Sequence, residues 1–130
     1  MEQRSPIGSK GKEAGFTLLE LLVVLMIVGL IAAIATPNVL NAVTRAREAA
    51  LVENLSVMRR ALDDHFSDRL AYPAQLQNLV QDGYLRNIPD DPVADDGAGW
   101  QVTFAQAGGV IDVHSSSTEA GLNGVPYNEW

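Results

Sequence analysis

One carboxylate stands where an otherwise apolar segment should exclude it. From Phe16 to Ala35 run twenty residues with a single charge, Glu20, and the run closes on Thr36 and Pro37. A carboxylate within a membrane segment costs about 2.5–3.5 kcal/mol on insertion scales, so it is normally paired and normally functional. The sequence supplies a partner only if it is cut. Cleavage between Gly15 and Phe16 would place a new α-amine one helical turn from Glu20, at i and i+4. Between two copies stacked with a slight stagger, amine and carboxylate would neutralise each other inside a packed bundle. An unpaired Glu20 would then penalise every other stagger. This is chemistry of polymerisation register, not of bond-making.

The other titratable groups point less clearly. Asp112, His114 and Ser115 are the residue types of an orienter, a base and a nucleophile. In a strand, however, Asp112 and His114 share a face while Ser115 points away, so no catalytic relay is expected. His65 has no second ligand at metal spacing and reads as a surface or helix-rim histidine. Asp90, Asp91, Asp95 and Asp96 lack the alternating spacing of an EF-hand loop and read as a solvated turn facing arginines of a neighbouring subunit.

The elements that must position these groups follow from length and patterning. At 130 residues with a net charge of -7 and no cysteine, the chain has room for one domain and no disulfides. Residues 87–130 hold seven acids and no Lys or Arg, which argues against a nucleic acid as partner. The first fifteen residues, with Arg4, Lys10 and Lys12, read as a basic leader. A helix over the following apolar run spans the roughly 30 Å of bilayer hydrocarbon. A secretory signal peptide, for which Ala33-Ile34-Ala35 would be the cleavage site, should have a shorter and uncharged apolar region. A buried core helix needs a larger protein around it. A plain single-pass anchor leaves Glu20 unexplained.

After Pro37 a helical period returns. Val39, Val43, Leu51, Leu55, Met58, Leu62 and Phe66 form an apolar stripe, and Arg59–Asp63 and Arg60–Asp64 read as surface pairs at i,i+4. The pattern predicts one long helix from Phe16 to about Asp68, ended by Tyr72-Pro73. A short helix from Ala74 to about Gln81 follows, with Leu76, Leu79 and Val80 inward and Gly83 as its stop. Strands are predicted at Trp100–Ala105 and Val110–His114, joined by residues 106–109. The tail from Ser115 to Trp130 reads as a loop, with Val125-Pro126-Tyr127 as a short edge strand and Trp130 folded back on the sheet. Four segments result: a leader (1–15), a membrane or filament-core helix (16–36), an amphipathic continuation (37–71) and a small α+β head (72–130).

The residues from Lys12 to Glu20, KEAGFTLLE, resemble the prepilin-type processing site of type IV pilins and type II secretion pseudopilins. The head extends the likeness. Tyr72-Pro73, Leu79-Val80, Asp82-Gly83-Tyr84-Leu85, Ile88-Pro89, Asp91-Pro92 and Asp112-Val113-His114-Ser115, in that order before a Gly-rich loop and Trp130, resemble the major pseudopilins of type II secretion. The resemblance implies an α+β, type IV pilin-like fold. It also implies cleavage between Gly15 and Phe16 by a prepilin peptidase, N-methylation of Phe16, and subunit assembly involving Glu20 and the helix-bending Pro37. The implied product is a homopolymeric filament, the periplasmic pseudopilus, that helps export folded proteins. Its implied partners are minor pseudopilins, an inner-membrane assembly platform and a secretion ATPase. The implied location is the bacterial inner membrane, single-pass, with the head in the periplasm.

Calcium is the one cofactor the resemblance raises, through an aspartate-rich C-terminal loop. Here that loop offers only Glu119, Asn123 and, later, Glu129 as side-chain ligands, so backbone carbonyls would have to complete the six to eight oxygens calcium takes. The alternative is that these are solvated loop residues. Two other functions stand beside the pseudopilin: a type IV pilin of a surface pilus, and a monomeric membrane-anchored binding module that would tolerate changes at Glu20.

Overall fold

The computed structural model describes residues 15–130; the leader, apart from Gly15, lies outside the described residues. Helix α1 spans Leu18–Arg69, 52 residues, with Glu20 in its first turn and Arg69 in its last, each opposite in sign to the helix end it faces. The chain divides into two compact units, one up to Val39 and one from Leu40 to Trp130.

In the second unit, α1 buries Leu51, Leu55, Met58, Ala61, Leu62 and His65, one or two side chains per turn on one face. Each fully buried aliphatic side chain contributes about 1.5–3 kcal/mol, and Leu51, Met58 and Leu62 are at or below 1% exposure. Opposite them lie Leu79 of helix α2 (Leu76–Gln81), Leu85, Val110, Val113 and Tyr127. The expected stripe is thus shifted. Val43 is exposed, and Phe66 sits at the rim, stacked on Tyr72 at 4.5 Å.

His65 was expected at the surface and is instead buried at 5% exposure. Continuing the buried face by three residues from Leu62 places it inward. Two polar partners satisfy it there: its Nδ1–H donates to the Ala71 carbonyl at 2.7 Å, and Nε2 lies 3.5 Å from Asp82. Helix α1 ends immediately after, with Leu70 in a left-handed conformation (φ 54°) ahead of Tyr72-Pro73.

Strand β1 (Gln101–Phe104) pairs antiparallel with β2 (Val110–His114), with Thr103 opposite Asp112 and a bulge between Thr103 and Phe104. The connecting loop returns at Gly109, whose φ is 92°; a Cβ there would stand 2.8 Å from both the Cβ and the carbonyl oxygen of Tyr72. Only glycine permits that approach, and it brings the Val110 N–H to the Pro73 carbonyl at 2.8 Å. The tail is more ordered than a loop. Ala120 and Pro126 form an isolated antiparallel bridge at the centre of the expected edge strand 125–127, and the pairing ends there as Tyr127–Glu129 form a 3-10 turn. Pro126 has no N–H to offer a sheet ladder, which keeps the pairing to a single bridge.

Candidate functional site

The start of α1 is built by Thr17. Its carbonyl accepts the Leu21 N–H at 3.2 Å and its Oγ1 accepts the Glu20 N–H at 3.1 Å, so Thr17 is the N-cap. Thr17-Leu18-Leu19-Glu20 is therefore a capping-box sequence, S/T-x-x-E, ahead of an apolar run. Sequence reasoning missed this role of Thr17, although the four-residue signature was available. Glu20 consequently has two reasons to be where it is. Its charge faces the positive helix end, and it follows Phe16 by four residues in sequence, with Phe16 itself ahead of the N-cap and outside the helix.

Around that bond the chain is open. Among the described residues, no heavy atom beyond its chain neighbours lies within 4 Å of where a Cβ would stand on Gly15, and Phe16 is 89% exposed. Every residue from Gly15 to Val43 is exposed, including Leu18, Leu22, Met26, Ile31 and Ile34. A continuous apolar surface of this size marks an interaction or membrane face. Among the described residues, α1 is the one helix long and apolar enough to cross a membrane.

Pro37 sits within α1 and cannot donate to the Ala33 carbonyl one turn back. The side chains beside it attach to the neighbouring carbonyls: Thr36 Oγ1 donates to Ala32 at 2.7 Å and Asn38 Nδ2 to Ile34 at 3.4 Å. These side-chain bonds flank the Ala33 carbonyl that the proline leaves without its donor, a pattern that favours a bend, and the helix nevertheless continues to Arg69.

The polar residues of the head serve structure. Arg59 does not pair with Asp63. Its Nε donates to Asp112 at 2.9 Å and its terminal NH2 to the carbonyls of Val113 and Trp130, at 3.0 and 2.8 Å. A planar fork that reaches three acceptors on the sheet and tail outcompetes an exposed pair along the helix. Burial alone would push the Asp112 carboxyl up; the Val113 N–H and the Arg59 guanidinium outweigh it and hold the group below the usual carboxylate range.

Asp112 also lies 3.2 Å from His114 Nε2, as their shared face requires, while Ser115 Oγ turns to Asp91 at 2.6 Å. Nucleophile and base are therefore apart. Asp91 is correspondingly not a solvated turn residue, since it also accepts the Val93 and Ser116 N–H groups at 3.1 and 3.3 Å.

The calcium ligands suggested by the resemblance do not fit a cation. The Asn123 side-chain oxygen accepts the Val125 N–H at 3.0 Å, and Glu119 and Glu129 are exposed. The carbonyls of Glu119, Gly121 and Val125 accept the N–H groups of Tyr127, Gly124 and Gly121, each at 2.9 Å. These four oxygens are thus already engaged by N–H donors of the loop itself. Among the described residues, no group of three or more His, Cys, Asp or Glu side chains is placed to hold a metal.

Comparison with known proteins gives three findings. The model of the prokaryotic N-terminal methylation motif matches residues 10–36. The chain is 32% identical to the type II secretion system core protein G of Klebsiella michiganensis, over 88% of this chain and 87% of that protein. It is 32% identical to that of Dickeya chrysanthemi (80% and 76% covered) and 31% identical to that of Vibrio cholerae (78% of each). No solved structure matches.

Proposed function

The chain belongs to the type II secretion system core protein G family, and from that membership we propose how its two ends divide the work of a pseudopilin. It is a structural subunit, not an enzyme, of the periplasmic pseudopilus that helps export folded proteins across the outer membrane. It is a single-pass inner-membrane protein whose head lies in the periplasm. Membership in this secretion family sets aside the surface-pilus alternative.

The steps proposed start at the leader. A prepilin peptidase cuts between Gly15 and Phe16 and methylates the new Phe16 amine. That amine pairs with Glu20 of an adjacent copy as the platform and secretion ATPase extract the subunit from the bilayer. Contacts between sister copies of residues 16–36 then replace lipid contacts. Pro37 lets this segment adjust to its neighbours, residues 37–71 carry the head, and residues 72–130 complete it. Minor pseudopilins join the same filament.

The observation that carries this reading is one acid in the first turn of a helix whose every side chain to Val43 is exposed. Mass spectrometry of the mature chain tests it. A methylated N-terminus at Phe16 is expected; an N-terminus at Thr36 or Asn38 would mean signal-peptidase cleavage and a head without its polymerisation helix.

A further inference from the structure

We propose that the Glu48 carboxylate on α1 holds the loop from Glu119 to Tyr127 in place, doing with protein hydrogen bonds what a bound cation would otherwise do. One oxygen of Glu48 accepts both the Leu122 N–H at 2.8 Å and the Tyr127 hydroxyl at 2.9 Å, joining the helix to residues more than seventy positions away. The loop is shaped to receive it. A Cβ on Gly121 would stand 2.6 Å from the Trp130 ring and 3.2 Å from that same Glu48 oxygen, so any larger residue would force the two apart. Trp130 closes the other side, with its indole N–H on the Val125 carbonyl at 3.2 Å and its ring edge-on to Tyr127 at 5.2 Å. Burial first, and then the bond to Glu48, push the Tyr127 hydroxyl above its ordinary pKa, so it remains a donor. The carbonyls of Glu119, Gly121 and Val125 and the Asn123 side-chain oxygen are meanwhile engaged by N–H groups of the same loop. A carboxylate fixed on the helix and accepting two hydrogen bonds leaves a divalent cation no structural task in this loop.

The test uses the full mature chain in detergent, melted and subjected to limited proteolysis with either EGTA or calcium chloride. The melting midpoint and the protection of the Glu119–Tyr127 segment should be the same in both. A fall in either on chelation, restored by calcium, overturns the proposal. Glu48→Ala should lower the midpoint by about 4–8 °C and open the segment to cleavage. Glu48→Gln, which keeps an acceptor oxygen, should recover most of the protection. Should Glu48→Ala fail to fold, Tyr127→Phe removes only the hydroxyl and should raise cleavage within the segment by about 2- to 10-fold. Native protection in either Glu48→Ala or Tyr127→Phe also overturns the proposal.

Discussion

Helix α1 passes through two environments. Between Leu18 and Val43 its leucines, isoleucines and valines are all exposed; between Leu51 and His65 most of its apolar side chains gather on one buried face, with Val52 and Val57 left outside it. Backbone hydrogen bonding is helical in both, so the difference lies wholly in the side chains. The first stretch is apolar on every side and offers no face to a small domain, only to lipid or to copies of itself. The second has Leu51, Leu55, Met58 and Leu62 on one side and Arg47, Glu53, Arg60 and Asp64 elsewhere around the helix, and a core of ten buried residues suffices to hold it. One stretch is stabilised by assembly and the other by folding, and substitutions in each should be felt in different measurements.

The largest effect is expected at Glu20. Glu20→Ala removes the acid that penalises wrong staggers, and filament incorporation should fall by at least about tenfold, one 1.4 kcal/mol step in a pairing worth several. The melting temperature of the head should not move. Sedimentation of sheared filaments measures the first quantity and circular dichroism in detergent the second. Normal incorporation would break the contrast between the two stretches.

Met58→Ala should show the reverse. Met58 is fully buried, and truncating such a residue costs about 2–5 kcal/mol through lost contacts and the cavity left behind. The head should melt at lower temperature while membrane insertion, measured by carbonate extraction, stays native. Loss of insertion would mean that the two stretches are not energetically separate.

Much of this contrast was legible from residue order, because periodicity distinguishes a helix that is apolar all round from one with a stripe. Both helices and both strands were accessible in this way, within two residues at each boundary. Partner choice was not. Arg59 had Asp63 one turn away and took Asp112, 53 positions distant; Asp91 looked solvated and accepts Ser115. Periodicity ranks neighbours on one element and says nothing of which loop will cross it. His65 was misplaced because its polarity outweighed its position on the buried face. Thr17 acts on a backbone donor, the Glu20 N–H, which the charge of the Glu20 side chain does not reveal.

A smaller effect should come from Asp112. Its carboxyl is held below the unfolded value of about 3.9, so its contribution is present above that pH and is lost as pH falls through the lower folded value. Thermal melts from neutral to strongly acid pH should show a steeper acid decline for the native chain than for Asp112→Asn, which has no proton to gain. The side chain is 39% exposed, so solvent screening keeps the difference modest. Superimposable acid limbs would show that Arg59 holds the tail through the Val113 and Trp130 carbonyls alone.

The smallest effect sharpens the comparison most, because it separates the two roles of Glu20. Thr17→Ala deletes the oxygen that accepts the Glu20 N–H, a loss of about 0.5–2 kcal/mol at the helix start. The Glu20 charge remains. Glu20→Gln does the opposite, keeping a side chain suited to the capping box while removing the charge. If the carboxylate acts by pairing with an amine of the next copy, Thr17→Ala should assemble within about twofold of native, since lipid and neighbouring helices still hold the first turn helical. Glu20→Gln should then fail as Glu20→Ala does. If Glu20 serves mainly to start the helix, the order inverts, with Glu20→Gln assembling and Thr17→Ala impaired. Comparing the two variants in one filament preparation therefore decides whether Glu20 belongs to the chemistry between subunits or to the folding of its own.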